Sequence, residues 1–397
     1  MAQPLHFNIC KEGDPMYGIQ TSFNLLSRNR IEITEDLSKW LQLGEKYGIS
    51  YREIGLIDFN RTGVCLAKDE VRVGFRVRFN GNPFYPNTDS WYALPVRSAH
   101  DSNFCILENK LFFNGHKIGE VRDLVLDTCN TSYQRGPHLL NLNSRSRSNC
   151  FGCKACVHND KGLYDHTVIK DQHELRTERD LEEFFDKHAK TGLDIANLKQ
   201  IAIVTGLFGN EDEVINHLTD VTNVAKKRGF SGEIMYFGCQ VTSNNALRKM
   251  ADLGKTAIVF AIDNFTARTS KMSPVKYRLS LDKLKEVMSN ARQVGIETSF
   301  AYIVGVDDLE SLEDGFKMFA PVCTRFPVVN IFQIQSELQV LAMHDSAKNL
   351  EYYIKARLAI EKAFRHTNYR PKRWENYRPL WYETFSDEQL FVKPYGD

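Results

Sequence analysis

The 397-residue sequence has no long apolar segment and no excess of charge of either sign. No stretch approaches the roughly 18 consecutive apolar residues of a membrane-spanning helix. The first 13 residues lack the basic start and apolar centre of a secretory signal. We therefore expect a soluble, cytoplasmic protein without a membrane partner. The 51 Lys and Arg residues nearly balance the 50 Asp and Glu residues, which argues against nucleic acid as a partner.

The sequence also lacks the cysteine pattern of a secreted disulfide framework. Its nine cysteines are an odd number, and six of them stand alone in the sequence. These six are Cys10, Cys65, Cys105, Cys129, Cys239 and Cys323. Scattered single cysteines are typical of a reducing compartment. We expect Cys239 and Cys323 to be small buried residues, because they form no second cluster motif.

The remaining three cysteines, Cys150, Cys153 and Cys156, are separated by two residues each. Thiolates at this spacing bind iron–sulfur clusters or zinc. A ferredoxin-type run would have a fourth cysteine after three more residues, but position 160 is Asp. Three thiolates on a four-iron cluster leave one iron able to bind another molecule. A zinc site would instead need a further ligand, such as His158 or Cys129.

From about residue 136 onward, short apolar runs alternate with segments of helical periodicity. The predicted strands are 138–142, 200–204, 233–237, 256–262, 297–304 and 328–334. The predicted helices are 178–190, 211–228, 244–253, 281–294, 309–319 and 349–366. This alternation predicts a parallel sheet with helices outside it. Six such units can curl into a partial barrel that binds ligands at the carboxyl ends of its strands, which is where the three cysteines follow the first strand.

The residues before this core predict a separate accessory region of mixed α/β structure. Residues 35–47 have the pattern of a short amphipathic helix, and residues 71–79 alternate apolar and basic side chains like a half-buried strand. A hairpin is predicted within residues 104–118, with its turn at Asn114 and Gly115. We divide the chain into an accessory region (1–135), a core (136–340) and a C-terminal helix with a cap (341–397).

Basic and aromatic side chains alternate in the C-terminal cap. They are Tyr369, Arg370, Lys372, Arg373, Trp374, Tyr377, Arg378, Trp381 and Tyr382. Guanidinium groups beside aromatic rings can bind a phosphate and stack a base or sugar. The alternative is a packed cap whose aromatic rings are buried. Residues 144–148 alternate Ser and Arg before the cysteines, and they are either an anion-binding loop or a solvated one.

Taken together, residues 136–340 resemble the core of the radical S-adenosylmethionine superfamily, and most of all its biotin-synthase-like branch. The resemblance implies a (β/α)6 partial TIM barrel in which Cys150, Cys153 and Cys156 hold a [4Fe-4S] cluster. The fourth iron of such a cluster chelates S-adenosylmethionine, and one electron yields a 5'-deoxyadenosyl radical that abstracts hydrogen. The family's loop is Cys-x3-Cys-x2-Cys with an aromatic residue before the last cysteine. Here the first gap is one residue shorter and Ala155 replaces the aromatic residue.

The resemblance also implies contacts to S-adenosylmethionine at the ends of later strands. Thr205 and Gly206 match the turn that receives the methionine amino group. Asp263 matches the acid that binds the ribose hydroxyls, and Arg278 matches the arginine that holds the methionine carboxylate. The residues that match the adenine-binding segment are Ile303, Val304 and Gly305, with Ala301 in place of the family's first glycine.

The sequence therefore predicts a radical S-adenosylmethionine enzyme that acts on a small polar metabolite or natural-product intermediate, such as a nucleotide- or sugar-like molecule. The expected outcome is carbon–carbon bond formation, rearrangement or oxidation, with flavodoxin or ferredoxin as electron donor. One alternative is a non-catalytic iron–sulfur electron carrier or zinc-stapled binding protein. A second is a radical enzyme that modifies RNA or protein. The pattern identifies no catalytic residue beyond the cofactor ligands.

Overall fold

The computed structural model describes residues 35–66, 71–80, 84, 89–97, 102–126, 132–135, 138–145, 150, 152–156, 174–190, 192–335, 337–372, 375–376 and 378–386. Within these residues the chain forms a closed barrel of six strands, followed by an open sheet of seven. Cys10, Cys129 and His158 lie outside the described residues, as do Arg373, Trp374 and Tyr377.

The N-terminal part has two helices and the closed barrel. Its elements are α1 (Glu35–Tyr47), α2 (Tyr51–Thr62), β1 (Val64–Leu66), β2 (Arg72–Phe79), β3 (Asp89–Arg97), β4 (Phe104–Leu107), β5 (Lys110–Phe113) and β6 (His116–Leu126). The strand order is β1-β3-β2-β6-β5-β4, and β1 closes the barrel by pairing in parallel with both β3 and β4. The predicted helix, strand and hairpin are all confirmed.

Local sequence explains how this small barrel closes and what fills it. The two-residue turns at Glu108–Asn109 and Asn114–Gly115 have positive φ at every position, as a tight hairpin with right-handed strand twist requires. Aromatic rings fill the interior, and the Trp40 and Phe113 ring centroids are 4.8 Å apart. Such rings bury large areas, so they compensate for the small size of this core.

The second sheet contains the predicted strands. Its members are β7 (Tyr133–Arg135), β8 (Leu139–Leu142), β9 (Gln200–Val204), β10 (Glu233–Gly238), β11 (Thr256–Asp263), β12 (Glu297–Val304) and β13 (Val328–Ile331). The order is β13-β12-β11-β10-β9-β8-β7, in which β8 to β13 are parallel and β7 is antiparallel. It is a curled parallel half-barrel sheet. The six predicted strands are confirmed, although the last ends at Ile331, and β7 joins the sheet just before the expected start of the core at residue 136.

Helices follow the parallel strands, as the alternating pattern predicts. They are α3 (Glu178–Ala189), α4 (Glu211–Lys226), α5 (Asn244–Ala251), α6 (Arg268–Lys271), α7 (Pro274–Tyr277), α8 (Leu281–Gln293), α9 (Leu309–Phe319), α10 (Glu337–Val340) and α11 (Leu350–Phe364). Side-chain caps mark the starts of several of these helices: Thr177 and Asp180 form a capping box on α3, and Ser243 caps α5. The six predicted helices are confirmed. No helix among the described residues combines the length and apolar character needed to cross a membrane.

The two faces of the half-barrel sheet are packed differently. The concave face carries mainly small or unbranched apolar side chains, namely Leu139, Ala202, Met235, Ala257, Val259, Ala301 and Val328. At the amino ends of the strands, buried Arg325 lies 2.8 Å from a carboxylate oxygen of Glu233 and also pairs with Glu375. This ionic cluster lies at the end of the sheet opposite to the carboxyl ends, where parallel α/β sheets usually bind ligands.

The C-terminal segment lies along the outer edge of β13. The backbone N–H of Ile331 donates to the carbonyl of Arg378 at 2.9 Å, and the N–H of Arg378 donates to Asn330 Oδ1 at 2.7 Å. Trp381 and Tyr382 are only 2% and 5% exposed. Their burial agrees with the packed-cap alternative for the described part of this segment.

Candidate functional site

The cysteine loop lies at the carboxyl end of β8, against the short segment between α6 and α7. The N–H of Lys154 donates to the carbonyl of Lys271 at 2.9 Å. Gly152 has a φ of 95°, and a Cβ there would lie 3.2 Å from the Cα of Ser273. Both this backbone conformation and this close approach favour glycine at position 152. Residues 271–273 therefore form a platform against which the cysteine loop packs. The sequence pattern alone does not indicate this contact.

Two of the three thiol groups accept hydrogen bonds from backbone N–H groups in different loops. These loops lie at the carboxyl ends of the parallel strands, which we call the sheet mouth. Cys150 Sγ accepts from the N–H of Leu207 at 3.2 Å, and Cys153 Sγ accepts from the N–H of Ser273 at 3.2 Å. Cys156 is half-buried, and its own N–H donates to the carbonyl of Cys153 at 3.0 Å. Hydrogen bonds to sulfur stabilise thiolates and tune iron–sulfur clusters. The donor set therefore fits a cluster.

Within the part of the chain that the structure describes, no group of three or more His, Cys, Asp or Glu side chains is positioned to hold a metal ion. A single zinc ion requires ligands that converge to about 2.0 to 2.3 Å from one point. In a four-iron cluster each thiolate binds a different iron, so the sulfur atoms are spread more widely. The three cysteines thus share one sheet mouth but do not form a preassembled site for one ion.

Thr205 and Gly206 contact the chain that leads into the cysteine loop. The Thr205 hydroxyl accepts from the N–H of Arg145 at 2.6 Å and donates to its carbonyl at 3.0 Å. The N–H of Gly206 donates to the same carbonyl at 3.4 Å. The end of β9 is therefore hydrogen-bonded to the backbone of Arg145, shortly after β8. This contact was not part of the role implied for Thr205 and Gly206 by resemblance.

Arg145 belongs to the Ser/Arg loop for which anion binding was one alternative. Its guanidinium lies 3.9 Å from a Glu174 oxygen and 3.8 Å from a Glu213 oxygen, and 5.4 Å from the ring centroid of Phe208. Two carboxylates thus already balance its charge. Residues 146–149 of the loop lie outside the described residues.

Asp263 ends β11 at an irregularity in the pairing with β12, and its φ of 63° is unusual for a residue other than glycine. Its Oδ2 atom accepts a hydrogen bond from Lys276 Nζ, and the side chains of Asp263 and Lys276 are 10% and 22% exposed. Burial lowers the pKa of Lys276, but the negative charges of Asp263 and then Cys153 raise it, with a net increase above the ordinary value. Lys276 is therefore a cation that is bound by Asp263.

The side chains of Arg278 and Lys276 point in different directions. Arg278 is exposed at the end of α7, whereas Lys276 points toward Asp263. Residues two apart in a helix point in nearly opposite directions. Lys276 lies within the short helix Pro274–Tyr277, which the sequence pattern did not predict. With that helix predicted, the spacing of two residues would have shown that Lys276 and Arg278 point in different directions.

Asp307 is a further residue that sequence reasoning missed. Its fully buried carboxylate accepts from the N–H of Phe265 at 2.6 Å, from the N–H of Thr266 at 3.1 Å and from the Tyr302 hydroxyl at 3.0 Å. These bonds join the loop after β11 to the end of β12. Asp307 therefore fixes the backbone shortly after Asp263, at Phe265 and Thr266.

Ile303, Val304 and Gly305 lie at the end of β12, on the cysteine side of the sheet. Ile303 and Ala155 pack against the same small apolar cluster of Val306, Phe332 and Ala342. Gly305 has a φ of 121°, and a Cβ there would lie 3.0 Å from the Cβ of Phe332. The structure thus brings the expected adenine-binding segment next to the cysteine loop, and Gly305 allows the close approach.

Burial distinguishes the remaining cysteines from the trio. Cys239 is 5% exposed, and burial raises its pKa to about 11, so its thiol stays neutral at pH 7. Burial also raises the pKa of Cys323, which is 3% exposed. Both behave as small core residues, as expected. None of the seven cysteines among the described residues is in a disulfide.

No family model matches this chain, and no curated protein matches it. Among solved structures, it is similar to Streptococcus suis SuiB bound to S-adenosylmethionine, with 10% identity, 58% of this chain and 50% of SuiB covered, and a TM-score of 0.38. It is also similar to coproporphyrinogen III oxidase (HemN) from Escherichia coli, a radical SAM enzyme, with 12% identity, 58% and 54% coverage and a TM-score of 0.35.

A third structural neighbour is OxsB, a cobalamin-dependent S-adenosylmethionine radical enzyme, with 13% identity and a TM-score of 0.29. The alignment covers 65% of this chain and 36% of OxsB. These neighbours are radical S-adenosylmethionine enzymes, and the chain spans about half the length of SuiB and HemN. At these TM-scores the function of the chain depends on evidence from its own residues.

Proposed function

We propose that this chain is a radical S-adenosylmethionine enzyme whose [4Fe-4S] cluster is held by Cys150, Cys153 and Cys156. The observation that carries the proposal is the cysteine trio at the carboxyl end of a curled parallel sheet, with backbone N–H donors on two of its sulfur atoms. When bound, the cluster would supply the electron that converts S-adenosylmethionine into a 5'-deoxyadenosyl radical and methionine. The parallel strands and their helices are proposed to form the family's (β/α)6 partial barrel.

The ends of β9, β11 and β12 are proposed to bind S-adenosylmethionine. Thr205 and Gly206 hydrogen-bond to the backbone of Arg145 and are proposed to receive the methionine amino group. The Asp263 contact to Lys276 uses Oδ2, and we propose that Oδ1 accepts a ribose hydroxyl. Arg278 is proposed to reach the methionine carboxylate from the edge of the site. The residues proposed to lie against adenine are Ile303, Val304 and Gly305.

The same sheet mouth is proposed to bind a small polar substrate, such as a nucleotide- or sugar-like intermediate. A primary-carbon radical reacts with any accessible C–H group, so the site must hold the substrate in contact and exclude water. The end of α2 lies beside this mouth, where Gln333 Nε2 donates to the carbonyl of Asn60 at 2.8 Å. The N-terminal part is therefore the proposed cover. The proposed products arise by carbon–carbon bond formation, rearrangement or oxidation.

A flavodoxin or ferredoxin is the proposed electron donor, in a reducing cytoplasm. The compartment is supported by cysteines that are thiols rather than disulfides throughout the described residues. An exposed cluster also requires reducing conditions to stay intact.

The test is anaerobic reconstitution with iron and sulfide, followed by dithionite and S-adenosylmethionine, with 5'-deoxyadenosine measured by mass spectrometry. We expect about four irons per chain and release of 5'-deoxyadenosine. A protein that binds the cluster but gives no 5'-deoxyadenosine with any reductant would support the electron-carrier alternative instead. A stoichiometry of one zinc without iron uptake would support the zinc-stapled alternative. A mobility shift with bulk tRNA would favour the RNA-modifying alternative.

A further inference from the structure

Ser273 connects Cys153 to Lys276 through its backbone. Its N–H donates to Cys153 Sγ at 3.2 Å, and its carbonyl accepts from the N–H of Lys276 at 2.9 Å. After that of Asp263, the negative charge of Cys153 is the next strongest influence that raises the pKa of Lys276. The two hydrogen bonds of Ser273 place Lys276 about one helical turn from the contact with Cys153, so its positive charge lies near this proposed cluster ligand.

The position of this ammonium group is fixed by contacts on both sides. Asp263 binds Lys276 Nζ directly. The guanidinium of Arg268 donates to the carbonyl of Lys276 at 2.8 Å and to the carbonyl of Ile262 at 2.8 Å, which ties α7 to the end of β11. A lysine normally has a mobile side chain, but this one has both ends restrained.

A fixed charge at this place has a definite electrostatic effect on a cluster. Three thiolates make a [4Fe-4S]²⁺ centre net negative, and a one-electron reduction adds a further negative charge. A nearby cation stabilises the reduced form more than the oxidised form, which raises the reduction potential. Because both side chains are largely buried, solvent screens this interaction less than it would at the surface.

We propose that Lys276, held by Asp263, is the residue that sets the reduction potential of a cluster bound through Cys153. The inference rests on the proposed function, since it requires the cluster. It gives Asp263 a positioning role toward Lys276 in addition to the proposed ribose contact. The two partners then act with opposite signs, because Lys276 supplies positive charge and Asp263 offsets part of it.

The test is the midpoint potential of the reconstituted cluster without S-adenosylmethionine, measured by anaerobic redox titration with EPR detection. Lys276→Met should move the potential to a more negative value. Asp263→Asn should move it to a more positive value, because the lysine charge is then no longer offset. Lys276→Arg retains the charge and should stay near the wild-type potential. Lys283→Met removes an exposed lysine of α8 and should leave the potential unchanged.

Opposite shifts would not arise from general damage to the fold, which affects both variants alike. An unchanged potential in Lys276→Met, or shifts of the same sign in Lys276→Met and Asp263→Asn, overturns the inference. If Lys276→Met does not retain the cluster, Asp263→Asn decides, and an unchanged potential there overturns it equally.

Wild-type protein separates this inference from the proposed function. If the wild type takes up no cluster, the proposed function and the inference fail together. If the wild type binds the cluster and releases 5'-deoxyadenosine while Lys276→Met keeps the wild-type potential, only the inference fails.

Discussion

Glu53 and Arg357 form an ion pair of 2.9 Å in which the two side chains are 0% and 1% exposed. Glu53 belongs to α2 and Arg357 to α11. Glu53 also accepts from the backbone N–H groups of Tyr382 at 2.6 Å and Glu383 at 2.9 Å. One buried carboxylate therefore joins the N-terminal helices, the last helix and the C-terminal segment.

Glu53→Gln should destabilise the protein by about 3 kcal/mol, because it leaves the buried charge of Arg357 only partly compensated. Glu361, at 2.8 Å from Arg357, limits the loss. Urea denaturation of the cluster-free protein measures it. In the double variant Glu53→Gln/Arg357→Met the loss should be smaller than the sum of the two single losses. A change below about 1 kcal/mol in Glu53→Gln would mean that the pair behaves like an exposed one.

Cys153→Ala should abolish cluster binding, since it removes one of the three proposed thiolate ligands. The readouts are iron and sulfide content and the visible absorbance after reconstitution. Cys323→Ala is the matched control, because it removes a buried thiol whose neighbour Thr324 bonds to Thr298 near the amino end of β12. Full iron content in Cys153→Ala would show that the trio is not the ligand set.

Gly152→Ala should lower the yield of reconstituted cluster, because a Cβ at 3.2 Å from the Cα of Ser273 pushes the cysteine loop off its platform. Gly192→Ala is the matched control. Gly192 has nearly the same φ, 96° compared with 95°, but a Cβ there meets nothing within 4 Å. Both variants carry the backbone strain, so only the difference between their iron contents reports the clash. Equal iron content in the two variants would contradict the proposed role of the platform.

The buried side chain of His217 should make the stability of the folded protein depend on pH. Burial, and then the charge of Arg145, lower its folded-state pKa to about 4, compared with about 6.5 when unfolded. The unfolded chain therefore binds a proton between these values that the fold excludes. The contribution of His217 to the free energy of unfolding is fully present above about pH 6.5. It falls by about 3 kcal/mol as the pH drops to about 4.

Urea denaturation of the cluster-free protein between pH 7.5 and pH 4.5 measures this effect. His217→Phe should show a flatter dependence over the same range, because it has no ring nitrogen to protonate. Parallel curves for wild type and variant would show that other groups cause the acid sensitivity.

Arg278→Ala should weaken S-adenosylmethionine binding by roughly tenfold, the loss expected for one charge-assisted contact of about 1.4 kcal/mol. Equilibrium dialysis against the cluster-loaded protein measures it, with Arg292→Ala as the control for an arginine on the outer helix α8. Since Arg278 is exposed, an unchanged affinity would assign the methionine carboxylate to another cation at the sheet mouth.

Long periodic segments were predictable from the sequence, because each contains enough repeats to reveal its buried face. This holds for α9, predicted and observed at 309–319. The short strand β9, predicted and observed at 200–204, was indicated instead by a continuous apolar run. Caps such as Ser243 and Asp308 also mark their helix starts locally.

Short elements were not predictable, because four residues contain about one helical turn and no repeat. This applies to α6 and α7. The pairing of Lys276 with Asp263 depends on α7, so the sequence did not indicate it. The closed N-terminal barrel was likewise missed, because its closure depends on the parallel pairing of the three-residue strand β1 with distant strands.

The segment that contains Asn376 and Arg378 has a consequence for the behaviour of the chain in a crowded solution. An open parallel sheet has two unpaired edges, and an exposed edge is a template for aggregation. Here Asn376 Oδ1 accepts from the N–H of Val329, and the carbonyl of Arg378 accepts from the N–H of Ile331. At the other edge, β7 is only three residues long. The C-terminal segment thus prevents a second chain from adding a strand to β13, so shortening the chain before Asn376 should produce insoluble protein.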